Sequence, residues 1–163
     1  MTQEEKQLLF KDLSGRLPYG VLLNVKSRYA NKQQNEYTMV GIVESDVLVE
    51  IEYDPSMGMM DARPLHIPIK DVKPYLRPMS SMSSKEWVEF CDCSLKDEKS
   101  WVITSNRQKF IPVQNREDYL NSKHFDYRGL IPMGLALEAP ENMYKHFGDM
   151  DVVVTSVEHK DKL

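Results

Sequence analysis

The stretch best equipped for chemistry is His124-Phe125-Asp126-Tyr127-Arg128-Gly129. Histidine titrates near neutrality, a carboxylate two residues on can orient its ring, and the planar fork of arginine can hold an anion. His124, Asp126 and Arg128 are therefore the parts of a general acid/base or anionic-ligand site. Such a site requires the three side chains to converge on one cleft, with the imidazole open to solvent. The preferred reading is structural. In it, Asp126 and Arg128 cap and pin the end of a preceding helix, His124 packs at its C-terminus, and Gly129 supplies a positive φ.

Other chemistry is thinly represented. Cys91 and Cys93 could join His66, His124 or His146 around zinc, but a one-residue gap and scattered histidines match no zinc spacing. No metal and no cofactor are expected. The chain holds no glycine-rich phosphate loop, Gly-x-Ser-x-Gly elbow or His-Glu-x-x-His motif, which leaves enzyme activity unassigned and favours a non-enzymatic role. The side chains suited to contact with a protein partner or a second copy are Tyr75, Arg77, Met79 and Tyr127, with further methionines nearby. Against this, Tyr75 and Leu76 could seal a junction while Arg77 is simply solvated.

At 163 residues the chain is the size of one domain, and its net charge of −4 comes without a basic block. Nucleic acid is accordingly an unexpected partner. A barrel-type nucleic-acid face would need Arg28, Lys32, Arg63, Lys70 and Lys73 to meet. The absence of a long apolar run or a secretory start places the expected protein in the cytoplasm, away from membranes, with both thiols reduced. The residues leave any small-molecule ligand unassigned.

The elements that must position these residues fall on either side of a proline-rich run, Ile67 to Trp87. Thr2 to Leu13 predicts a helix with a capping box at Thr2 and Glu5, stopped by Ser14-Gly15. Strands are expected at Val21–Val25, Tyr37–Val43, Val47–Tyr53 and Leu65–Ile69, each with period-two alternation or short apolar runs. Pro68, Pro74 and Pro78 predict extended chain and a hinge, and any strand there should be short or at an edge. Ser83 and Glu86 predict a capped helix over 84–93, with Trp87, Val88, Phe90 and Cys91 as its apolar face. Two short strands around residues 101–113, a helix opened by Asn115 with Tyr119, Leu120 and Phe125 inward, a helical turn over 141–147 and a strand over 151–157 complete the chain.

The expected fold is therefore α+β: an N-terminal helix and a small curled antiparallel sheet, either an SH3-like barrel or an open curled meander, over 1–79, then a mixed half over 80–163. The two halves could equally be one fused domain. Ile69 to Met82 and Tyr119 to Leu137 resemble a family of short uncharacterised proteins of gut bacteria and their prophages. That resemblance implies a bacterial, mobile-element origin and carries no site residue.

Overall fold

The computed structural model describes residues 1–26, 36–50, 64–93, 100–104, 109–113 and 115–144. Thr2 Oγ1 accepts from the Glu5 amide and the Glu5 carboxylate accepts from the Thr2 amide, so α1 (Gln3–Arg16) starts with a complete capping box. It does not stop at Ser14-Gly15. A Cβ at Gly15 would lie 2.8 Å from Asn121 Nδ2, so this glycine serves a close approach inside the helix and not a turn. The left-handed residue comes later, at Gly20 with φ +70°, after a 3-10 turn over Leu17–Tyr19.

In chain order the strands are β1 (Leu22–Val25), β2 (Glu36–Val43), β3 (Asp46–Val49), β4 (Leu65–Pro68), β5 (Val72–Leu76), β6 (Ser100–Thr104), β7 (Lys109–Val113) and β8 (Leu137–Glu138). Six of them form one mixed sheet in the order β4-β3-β2-β1-β5-β8, antiparallel except where β8 runs parallel to β5, and among the described residues β6 pairs with β7 alone. The fold class is α+β as expected, but the SH3-like barrel is not formed. After β4 the chain turns over Ile69–Asp71 and returns beside β1, and β8 covers only Tyr75 and Leu76, so among the described residues β4 and β8 remain as two separate edges.

Period-two alternation places Val21, Leu23 and Val25, and likewise Val47 and Val49, in the core against Leu9 and Leu13 of α1. Ile51 and Tyr53, expected to continue β3, lie outside the described residues.

The proline-rich run is not a hinge. Its middle is β5, which lies between β1 and β8. The Asp71 carbonyl accepts from Lys26 N on the β1 side, while the Leu76 carbonyl accepts from Ala139 N on the other. By strand alternation Pro74 faces away from β1, where β8 has not yet begun, so its missing N–H removes no ladder bond. The division at residue 79 is crossed by both the sheet and the core. Strand β8 joins the first sheet, and Leu130, Leu135 and Ala136 share one core with Leu13, Val25 and Leu76.

Two more helices complete the described chain. Ser83 and Glu86 form the second capping box, at the start of α2 (Ser84–Asp92). Asn115 Oδ1 accepts from the Asp118 amide and opens α3 (Arg116–Ser122). Residues 145–147 of the expected last helical turn and the expected strand over 151–157 are outside the described residues.

Candidate functional site

The segment after α3 is organised by its backbone. Phe125 N donates to the Leu120 carbonyl at 2.9 Å and His124 N to the Asn121 carbonyl at 3.2 Å, the two bonds of a Schellman ending. His124 occupies the left-handed position usually given to glycine, with φ +58°. A side chain there costs about 1 kcal/mol. Its ring is held by Tyr144, stacked with centroids 4.0 Å apart. The Tyr144 hydroxyl in turn accepts from Leu22 N at 3.2 Å and donates to the Tyr75 carbonyl at 2.8 Å, so it bridges the end of the β1–β5 ladder.

His124 is only 4 % exposed, and its Nδ1 makes no hydrogen bond among the described residues. Burial, reinforced by the cations of Arg16, Arg77 and Lys123, holds its pKa well below the usual 6.5. The imidazole is therefore neutral and closed to solvent.

Asp126 and Arg128 are engaged elsewhere. The Asp126 carboxylate accepts from Leu130 N at 2.7 Å and Ile131 N at 2.8 Å. It caps the turn that follows it, not the helix before it. Arg128 pairs with Glu117, and its Nε lies 3.4 Å from Asp12 Oδ1. Among the described residues no hydrogen bond joins any two of His124, Asp126 and Arg128. A shallow concavity of about 320 Å³ lies elsewhere, bordered by Lys6, Asp46 and Lys70.

Beneath this segment lies a pair that the motif search passes over. Arg16 donates through Nε and Nη2 to the Asp12 carboxylate at 2.7 and 3.0 Å, and through Nη2 to the Phe125 carbonyl at 2.8 Å. Both side chains have no solvent exposure. The signal in the sequence is their spacing: 9, 12, 13 and 16 share one helix face, so Asp12 and Arg16 stand on the stripe of Leu9 and Leu13.

The expected contact residues are dispersed. Tyr75 is half-buried, with its hydroxyl accepting from Asn24 Nδ2 at 3.1 Å. Arg77 is not simply solvated: it grips Glu86 at 2.7 and 3.1 Å and lies over the Phe125 ring. Burial alone would raise the Glu86 pKa, yet hydrogen bonds from Arg77 and Ser83 bring it down to about 2. Tyr127 hydrogen-bonds through its hydroxyl to Glu117 and Asn121, and burial followed by the Glu117 bond pushes its pKa up to about 12. Met79 is exposed. Of the basic residues required for a nucleic-acid face, Arg28, Lys32 and Arg63 lie outside the described residues, and Lys70 and Lys73 are exposed.

The apolar residues of α2 split between two faces, against expectation. Phe90 and Cys93 turn toward Tyr119 and Phe125, whereas Trp87 and Val88, at 55 and 58 %, are the most exposed large apolar side chains among the described residues. Arg77–Glu86 and the Tyr119 hydroxyl bond to Glu89 hold the helix from its inner side and so fix which face is outward. Cys91 and Cys93 form no disulfide.

Comparison of the chain with protein-family models, curated proteins and solved structures gave no match. Among the described residues no helix is long and apolar enough to cross a membrane, and no three His, Cys, Asp or Glu side chains gather as a metal site.

The burial of His124 sets a pH dependence. Its folded pKa lies below the unfolded 6.5, so on acidification the unfolded chain binds the proton first, and stability falls as pH drops below about 6.5. Glu86 acts in a lower window, its contribution being lost as pH falls from 4.5 to about 2. Urea unfolding at a series of pH values should show both losses, and His124→Phe should remove the upper one alone. A His124→Phe profile parallel to wild type between pH 6.5 and 5 would contradict the assignment.

Proposed function

We propose that the protein is a small non-enzymatic protein-contact module, with the outward face of α2 as its contact surface. The observation that carries this reading is the solvent-facing Trp87–Val88 pair on a helix locked from behind. Exposed apolar side chains are common singly, but a tryptophan beside a second large apolar residue on a rigid element is the composition of an interface centre. The acid/base alternative loses its support with the closed imidazole and the separately engaged Asp126 and Arg128. A cytoplasmic setting and the bacterial or prophage origin implied by the two resembling stretches belong to the same proposal.

A photo-crosslinking side chain placed at Val88 in producing cells tests it. The expected result is a discrete protein adduct, to another protein or to the chain itself, that is missing when the probe sits at exposed Lys11 on α1. Adducts that are equally diffuse at both positions would remove the reading.

A further inference from the structure

We infer that the occupant of the α2 face is a second copy of this chain, with the two α2 helices packed antiparallel about a two-fold axis near Val88. This rests on the reading of α2 as a contact surface and names its partner. Ser84, Trp87, Val88 and Cys91 follow the spacing of one helix face, with the two large apolar side chains at its centre and small ones at its ends. Nothing charged interrupts that row.

The charges beside the row decide the orientation. Lys85 lies near the start of α2 and Asp92 is its last residue, seven positions apart and thus about 10 Å along the axis, too far to pair with each other along the helix. In an antiparallel crossing over Val88, Lys85 of each copy stands beside Asp92 of the other, so this one contact forms twice by symmetry. A parallel crossing would put the Lys85–Asp92 flank of each helix on the opposite side of the seam from its partner's, so the pair could not form. Antiparallel packing also brings the negative end of each helix to the positive end of its partner. The row is therefore complementary to itself in one orientation only.

A helix of nine residues presents a short face, so the interface falls below about 1,200 Å² and the association is weak and reversible. Sedimentation equilibrium of the purified chain, kept reduced so that Cys91 cannot cross-link, is the test. The expected result is a concentration-dependent monomer–dimer equilibrium by about 500 µM, a range suited to such weak binding. Trp87→Lys should weaken it about thirtyfold, as loss of a central aromatic does. Lys85→Asp and Asp92→Lys should each weaken it about three- to tenfold through the repeated contact, and the double variant should regain most of the loss.

A chain monomeric throughout that range, an association indifferent to Trp87→Lys, or a double variant no better than the singles would overturn the inference. If the Val88 probe captures a different protein while the purified chain stays monomeric, the contact-surface reading stands and the second copy is wrong. If the probe captures nothing discrete, both fall.

Discussion

Asp12→Asn should destabilise the protein by about 3–5 kcal/mol, because it leaves the Arg16 guanidinium buried without its carboxylate, and Arg16→Met should approach that cost, although Arg128 stays beside Asp12. Against a typical total of about 5–15 kcal/mol, that is enough to leave a measurable unfolded fraction. For a chain of this size the melting temperature should fall by roughly 10 °C. Asp12→Asn is expected to disturb Arg128 too, whose Nε lies 3.4 Å from the same carboxylate. Arg16→Met also removes the donor to the Phe125 carbonyl, which ties α1 to the chain after α3.

The double variant Asp12→Asn/Arg16→Met discriminates between explanations. Removing both charges abolishes both desolvation penalties, so the double should be clearly more stable than the sum of the singles, and near the better of them. Denaturant unfolding of the four proteins measures this coupling. Strict additivity, or singles that cost under about 1 kcal/mol, would mean that the two charges are not a buried unit.

Asp126→Ala should cost about 2–4 kcal/mol, since the amides of Leu130 and Ile131 both lose an acceptor and the first of these is buried. Asp126→Asn retains one oxygen of the right shape and should lose about half as much. The damage should be directional. The turn at 130–136 leads directly into β8, whose neighbour Ala139 donates to the Leu76 carbonyl at 2.8 Å. Hydrogen exchange at Leu130, Ile131, Leu135 and Ala139 should therefore accelerate in Asp126→Ala more than at Leu9 or Leu13. Uniform acceleration would indicate global destabilisation without a specific cap, and Asn behaving like Ala would remove the two-amide account.

The parts legible in the residues are those whose cause spans four positions or fewer. Thr2 with Glu5, Ser83 with Glu86, and Asn115 before Asp118 mark three helix starts, because the capping side chain and the amide it accepts from are neighbours in the chain. The alternation of Val21, Leu23 and Val25 marks a half-buried strand for a similar local reason, since successive side chains point to opposite faces. For the 124–128 segment the composition left open which turn Asp126 caps, since the amides it accepts from, those of Leu130 and Ile131, follow it in the chain.

What local pattern left open is which surfaces meet. Ser-Gly after an apolar helix stripe reads as a stop, but α1 runs on to Arg16, and the missing Cβ of Gly15 instead makes room for Asn121, over a hundred positions away. Three prolines read as a hinge, yet β5 is an interior strand because Pro74 happens to face the side that β8 has not reached. Trp87 reads as core at helical spacing, and the choice between inward and outward faces was made by the grip of Arg77 on Glu86 and of Tyr119 on Glu89. The bond from Arg16 to the Phe125 carbonyl spans 109 residues. Contacts of that separation depend on the packed arrangement of the whole core, because burial is what turns an ordinary i,i+4 charge pair into one the fold cannot lose.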